Sequence, residues 1–139
     1  MNTVAVVLDQ PERLRLAELS LTEPDAQDVV VDVRWSGIST GTERLLYTGK
    51  MPAFPGMGYP LVPGYESVGR VIAAGDASGH VVGEQVFVPG ANCYEPLNGQ
   101  PVRGLFGGSA ARLVVPGRRA ITVDEALGER AVLLALAAT

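Results

Sequence analysis

The sequence predicts a mainly β, barrel-like domain, and three observations support this prediction. The length of 139 residues is typical of one domain that can bury a substantial core. Gly and Pro, 17 and 10 residues, are spread along the whole chain, and short β-branched runs lie between them. Hydrophobic residues make up 47% and charged residues 19%, an ordinary globular composition rather than a disordered one.

Seven short apolar runs are the predicted strands. They are Thr3–Leu8, Leu14–Leu19, Val29–Trp35, Ser67–Ala74, Gln85–Val88, Ala110–Val115 and Ala120–Thr122. In the third strand the alternate set Val30, Asp32 and Arg34 predicts one wetter face. Gly75 and Asp76 form a turn signal that ends the fourth strand.

Two helices are predicted between and after these strands. A short helix over Thr42–Tyr47 would be closed by Gly49. A second would begin near Gly128 or earlier, with Asp124 as its cap. Its apolar face would comprise Leu133, Leu134 and Leu136. No helix-stop residue follows that face, so we expect the chain to be cut short of a further domain.

Charge and hydropathy argue against two classes of partner. The net charge is −4 and the arginines are scattered, which disfavours nucleic-acid binding. The longest apolar stretch, Ala131 to Ala138, is too short to cross a bilayer. The N-terminus lacks the pattern of a signal peptide. We therefore expect a cytoplasmic protein with no membrane span.

Cys93 and His80 are the only residues of their types. Cys93 cannot form an intrachain disulfide and is expected to be a small, semi-buried apolar residue. His80 lies in a turn-rich stretch and is expected to be a solvated loop residue, with a catalytic base as the alternative. One His and one Cys, far apart in sequence, cannot build a tetrahedral zinc site with nitrogen and sulfur ligands.

The segment from Tyr47 to Pro63 differs from the rest of the chain. Prolines stiffen it, glycines permit sharp turns, and it carries Tyr47, Met51, Phe54, Met57 and Tyr59. Such side chains can line a pocket for a flat apolar ligand, and we take these five as candidate substrate-binding residues. The alternative is a loop that packs its aromatic residues on its own barrel.

The sequence contains no Gly-x-Gly-x-x-Gly dinucleotide fingerprint. The glycine-rich run from Gly104 to Ser109 lacks the required spacing and precedes a predicted strand instead of following one. No phosphate-binding loop or nucleophile elbow is present either. The cofactor-binding residues are therefore unknown, and this chain carries no visible cofactor-binding module of its own.

Two further motifs carry a family resemblance. They are Ser36-Gly37-Ile38-Ser39-Thr40-Gly41-Thr42-Glu43 and Gly64-Tyr65-Glu66. Together they resemble the catalytic-zinc region of the medium-chain dehydrogenase/reductases, with Ser39 and Tyr65 at the positions of the usual Cys and His ligands. The likeness continues through Val82–Val86, Gly107–Arg112 and Glu129–Leu134.

This resemblance implies that residues 1–139 form a GroES-like, partly open barrel, the substrate-facing catalytic domain. The nucleotide-binding Rossmann domain of the family would follow and would be absent from this chain. The resemblance also implies NAD-dependent alcohol oxidation, here without zinc and without the structural-zinc lobe, because only Cys93 lies in the matching region. We expect the fragment alone to be inactive and to hold no bound cofactor.

The serine motif, followed by the run from Met51 to Glu66, resembles the zinc-independent members that oxidise the C3 hydroxyethyl group of a chlorin to acetyl. It thus implies a tetrapyrrole substrate. Tyr65 would donate to or accept from the substrate oxygen, Ser39 and Thr42 would orient the hydroxyl or relay its proton, and Glu66 would polarise Tyr65 or anchor its loop. The structural alternatives are pocket lining by Tyr65 and a turn-stabilising carboxylate at Glu66.

The sequence is also compatible with two other functions. One is a stand-alone GroES-like barrel that binds a ligand or partner without catalysis. The other is a zinc-independent medium-chain dehydrogenase acting on another alcohol. An apolar face exposed by a missing second domain also leaves a homodimer open.

Overall fold

The computed structural model describes residues 1–104 and 106–134. Within these ranges the chain forms seven strands, one α-helix and two stretches of 3-10 helix. The strands are β1 (Asn2–Gln10), β2 (Arg13–Ser20), β3 (Asp28–Ser36), β4 (Ser67–Ala74), β5 (Gln85–Val88), β6 (Arg112–Pro116) and β7 (Ile121–Thr122). The helix α1 covers Thr42–Thr48, and the 3-10 stretches cover Gly117–Arg119 and Glu125–Leu133.

The strands form two antiparallel sheets that do not close into one barrel. β1 and β2 form a hairpin, and the second sheet has the strand order β6-β3-β4-β5-β7. A bridge between Ala5 and Ala110 joins the hairpin to the chain before β6, and the N–H of Val6 donates to the carbonyl oxygen of Ser109 at 2.9 Å. The predicted mainly β, partly open architecture is confirmed.

Strand β3 lies at the centre of the main core. Val29, Val30 and Val31 are all fully buried, although the alternation predicted a wetter face at Val30, which is only 1% exposed. That prediction is wrong at Val30, because β3 is paired on both edges and covered on both faces along its first half. Exposure begins further along the strand, towards Arg34.

A second, smaller core lies beneath α1. Leu46 is the one fully buried residue of this helix, and it clusters with Leu8 and Leu61. The partly buried side chains that pack against them are Met51, Met57, Tyr59 and Phe106. The long loop therefore folds back onto the barrel. Gly49 closes the helix in the left-handed conformation, as predicted, with φ of 76°.

The predicted second helix differs from the described structure. Asp124 accepts a hydrogen bond from the N–H of Ala126 at 2.8 Å, which confirms the predicted cap. The residues that follow form 3-10 turns rather than an α-helix, and Gly128 interrupts them with a φ of 52°. Leu136 and the rest of the apolar stretch beyond Leu134 lie outside the described residues. The described part of the chain contains no helix with the length and apolarity that a membrane crossing requires.

Candidate active site

The structure brings the two sequence motifs together at one end of the β3–β4 pair. Ser36 is the register partner of Ser67, and the N–H of Gly37 donates to the carbonyl oxygen of Glu66 at 2.7 Å. A Cβ atom at position 37 would overlap the carboxylate of Glu66. Glycine at this position therefore allows the two motifs to lie in direct contact.

Gly64 fixes the other side of the same junction. Its φ of 97° is in the left-handed region, and a Cβ there would lie 2.5 Å from Oγ of Ser109. The N–H of Gly108 donates to the carbonyl oxygen of Gly64 at 3.0 Å. The hydroxyl of Ser67 donates to the carbonyl oxygen of Gly108 at 2.7 Å. These two bonds fix the backbone on both sides of Tyr65, at Gly64 and at Ser67, to Gly108.

Ser39 lies three residues before α1 and exchanges hydrogen bonds with its first turn. Oγ of Ser39 accepts from the N–H of Thr42 at 3.3 Å, and Oε2 of Glu43 accepts from the N–H of Ser39 at 2.6 Å. This arrangement resembles a capping box, in which two backbone donors at a helix start are satisfied reciprocally. With respect to the residues that the structure describes, the Ser39 hydroxyl acts only as an acceptor, so its proton can still be donated to a ligand.

Glu43 is the last residue of the serine motif and lies in the first turn of α1. Burial raises the pKa of the Glu43 carboxyl, and the negative charge of Glu66 adds to that rise, whereas the hydrogen bond from Ser39 opposes it. Glu43 thus stabilises this turn through a backbone N–H, and a turn-stabilising role for Glu66 stays a prediction. The signal for the role of Glu43 was a Glu shortly after a Ser at a helix start.

Tyr65 lies against an aromatic neighbour. Its ring centroid is 5.5 Å from that of Phe106, with the planes tilted by 54°, and the side chain packs on the cluster of Val68, Phe87 and Ala131. Among the described residues no protein group is hydrogen-bonded to the Tyr65 hydroxyl. The ring is therefore positioned by apolar contacts, and the phenol is available to a ligand.

A cleft of about 540 Å³ opens between the hairpin and α1. Its walls are mostly apolar, and the volume is within the range of small-molecule sites. The lining residues are Val6, Leu8, Leu14, Ile38, Ser39, Thr40, Glu43, Arg44, Tyr47, Pro63 and Ser109. Two predicted site residues, Ser39 and Tyr47, are among them, and Thr42, Tyr65 and Glu66 are not.

The other predicted substrate-binding residues lie in the smaller core. Met51, Met57 and Tyr59 pack beneath α1, and the Tyr59 hydroxyl donates to the carbonyl oxygen of Leu46. Phe54 makes an edge contact with Phe106, with ring centroids 6.4 Å apart. These four residues shape the loop that supports the cleft, and their contact with a substrate stays a prediction.

His80 and Cys93 make their contacts with residues outside the two motifs. His80 is not the solvated residue that the sequence predicted: its side chain is 9% exposed, and its two ring nitrogens contact Glu84 Oε2 at 2.8 Å and the Gly117 carbonyl oxygen at 2.7 Å. Cys93 is 1% exposed, and burial raises its pKa to about 11. This agrees with an inert, buried thiol.

The donor atoms at the two motifs do not fit a zinc ion of the usual kind. Ser39 and Tyr65 offer hydroxyl oxygens, whereas zinc in proteins prefers thiolate and imidazole with carboxylate as a further ligand. Among the residues that the structure describes, no three His, Cys, Asp or Glu side chains form a group that could hold a metal ion.

The fold and the joined motifs are those of a GroES-like domain of the alcohol dehydrogenase type. Residues 25–125 match the alcohol dehydrogenase GroES-like domain, and the chain belongs to this family. A crystal structure of a short chain alcohol dehydrogenase (rspB) from Escherichia coli, complexed with NADH, has a TM-score of 0.70 and 27% identity. The match covers 96% of this chain and 42% of that one.

Two relatives narrow the resemblance within this family. Over all 139 residues the chain is 55% identical to a 2-desacetyl-2-hydroxyethyl bacteriochlorophyllide A dehydrogenase of Cereibacter sphaeroides. It is 50% identical to the protein of the same name from Rhodobacter capsulatus. The chain spans 44% and 43% of the lengths of these relatives. The resemblance inferred from the serine motif and the long loop is confirmed.

Proposed function

We propose that this chain is the substrate-facing catalytic domain of an NAD-dependent dehydrogenase of bacteriochlorophyll a synthesis. The reaction oxidises the C3 1-hydroxyethyl group of a bacteriochlorophyllide precursor to acetyl, and it proceeds without zinc. The observation that carries the proposal is the 55% identity, over the whole chain, to a dehydrogenase named for this pigment. The apolar cleft beside Ser39 supports it, because a tetrapyrrole is a flat apolar ligand.

Oxidation of a secondary alcohol removes a hydride and a proton. A bound nicotinamide would accept the hydride, and its site is proposed to lie in the part of the relatives that this chain does not span. The residues of this chain would bind the alcohol oxygen and stabilise its developing negative charge. The Ser39 hydroxyl lies on the cleft wall and retains a proton that it can donate.

Tyr65 is the proposed acid–base group, because its hydroxyl stands at the position of a zinc ligand in the family and is hydrogen-bonded to no described protein group. In its ionised form it would accept the proton of the substrate hydroxyl, and the resulting neutral phenol would donate a hydrogen bond to the carbonyl product. Glu66 follows it directly and lies against Gly37, close enough to influence the charge of Glu43. Thr42 gives its N–H to Ser39 and so helps to hold that hydroxyl in place. Glu66 would anchor the loop that presents Tyr65, through its contact with Gly37.

The test is Tyr65→Phe in the intact enzyme, with Tyr94→Phe as the matched control. Loss of a general acid–base group lowers kcat by about 100-fold or more, and pigment affinity should stay within about twofold. Tyr94→Phe removes a buried hydroxyl that donates to the carbonyl oxygen of Gly107, and Tyr94 does not line the cleft, so turnover should change little. Unchanged turnover in Tyr65→Phe would remove Tyr65 from the mechanism.

Two further measurements separate the alternatives. Metal analysis of the purified protein should find no stoichiometric zinc, and one tightly bound equivalent would overturn the zinc-free proposal. Pigment binding without NAD-linked oxidation would favour a ligand-binding barrel, and oxidation of unrelated alcohols would favour another substrate. A cytoplasmic location and a homodimer stay predictions.

A further inference from the structure

The cleft has one feature that oxidation of a hydroxyethyl group does not require. Among its described lining residues Arg44 is the only cation, on walls that are otherwise mainly apolar. Arg44 lies in α1, directly after Glu43 and three residues before Tyr47. Residues three apart are neighbours on a helix surface, so Arg44 and Tyr47 present two adjacent donors to the same cleft.

The guanidinium of Arg44 has no described protein partner. The ion pairs of the described residues involve Arg15, Arg70, His80 and Arg112, and none includes Arg44. The neighbouring carboxylate of Glu43 instead accepts the N–H of Ser39. An unpaired guanidinium at the edge of an apolar cleft can bind an anionic group of the ligand.

We propose that Arg44, with the Tyr47 hydroxyl beside it, binds the free propionate carboxylate of the tetrapyrrole. The inference rests on the proposed function and adds the element that recognises the acid. A guanidinium fork matches the two oxygens of a carboxylate, and an esterified propionate offers no such anion. Arg44 would thereby select the free-acid pigment over its ester and set which edge of the macrocycle enters the cleft.

The experiment compares the free-acid pigment with its methyl ester. Each is titrated against the intact enzyme and followed by the change in pigment absorbance. Wild type should bind the acid about fivefold more tightly than the ester, a preference typical of a partly exposed ion pair. Added salt should reduce this preference, because screening weakens exposed charge pairs.

Three variants assign the preference to its source. Arg44→Gln should lower acid affinity to the ester level and leave ester affinity unchanged. Arg44→Lys should retain part of the preference, because it keeps the charge but loses the planar fork. Arg118→Gln is the matched control, because Arg118 is an exposed arginine in the 3-10 turn after β6. In steady state Arg44→Gln should raise KM for the acid with little change in kcat.

The outcomes distinguish this inference from the proposed function. Equal binding of acid and ester by wild type, or a preference retained in Arg44→Gln, would refute carboxylate binding by Arg44 and leave the dehydrogenase proposal intact. Failure of wild type to bind either pigment would overturn the proposed function and this inference with it. Loss of ester affinity in Arg44→Gln would show that Arg44 maintains the shape of the cleft and does not recognise the carboxylate.

Discussion

Replacing Leu46 with Ala tests whether the small core beneath α1 holds the helix that forms the cleft wall. Leu46 is 1% exposed and packs with Leu8 and Leu61, so its side chain fills the contact between α1 and the barrel. The preceding residue, Leu45, belongs to the same helix but is 39% exposed. Leu45→Ala is therefore a matched control with identical chemistry.

The size of the expected effect follows from this burial. Leu46→Ala removes the three buried carbon atoms beyond Cβ, which costs about 2.4 kcal/mol of transfer free energy. The incompletely filled cavity raises the total loss in free energy of unfolding to about 3–4 kcal/mol. Leu45 loses only part of that transfer term and leaves no cavity, so Leu45→Ala should cost about 1.5 kcal/mol or less.

Urea unfolding of wild type and both variants, followed by circular dichroism, measures these differences. The unfolding midpoint should fall much further for Leu46→Ala than for Leu45→Ala, with little change in slope. Because Arg44 and Tyr47 lie on the same helix, pigment affinity should fall with Leu46→Ala as well. Equal losses in the two variants would refute the conclusion that this small core anchors α1.

Two further predictions concern the junction of the motifs and the His80 contact. Gly64→Ala should lower the free energy of unfolding by about 2–4 kcal/mol, because the left-handed φ is strained and the new Cβ meets Ser109. Gly83→Ala, with φ of 101° but nothing within 4 Å of the new Cβ, should cost only about 1–2 kcal/mol; equal losses in thermal unfolding would contradict the role of the close contact. The His80–Glu84 pair should make stability depend on pH. Hydrogen bonds from His80, from the N–H of Val81 and from the Thr122 hydroxyl lower the pKa of Glu84 from 4.5 to about 2, so their contribution is present above pH 4.5 and is lost as the pH falls towards 2. The hydrogen bond with Glu84 raises the pKa of His80 above 6.5, so that contribution is present below pH 6.5 and is lost as the pH rises through the folded-state value. The Tm advantage of wild type over Glu84→Gln should therefore be largest between about pH 4.5 and 6.5, and a constant difference from pH 2 to 8 would exclude the linkage.

The strands were predictable because their signals are local. Strands β4 and β5 begin and end where the apolar runs do, since turn residues bound both of them. The burial of Val30 was not predictable, because it depends on the neighbouring strands and on what covers each face of the sheet. The same limitation applies to the 3-10 turns after Asp124, where a positive φ at Gly128 breaks a pattern that would suit a helix.

The site was predictable as a pair of motifs but not as a set of contacts. Local spacing could not show that Met51, Met57 and Tyr59 fill the small core and so leave the cleft to Tyr47 and its helix neighbours. It also could not show that His80 is held by Glu84 and by a carbonyl oxygen 37 residues away in sequence. Both outcomes depend on long-range packing, which decides whether a loop side chain meets solvent, ligand or core.

Ser39 shows how one residue can serve the fold and the proposed chemistry together. Its Oγ and N–H both take part in the start of α1, which would explain a Ser here without any catalysis. The same bonds fix the hydroxyl on the cleft wall and leave its proton free, which is the preorganisation that charge stabilisation requires. Ser39→Ala removes both roles, whereas Ser39→Asn keeps a capping acceptor but alters the donor. A Ser39→Asn enzyme that is as stable as wild type but turns over slowly would assign the hydroxyl to the chemistry, and normal turnover would assign it to the helix alone.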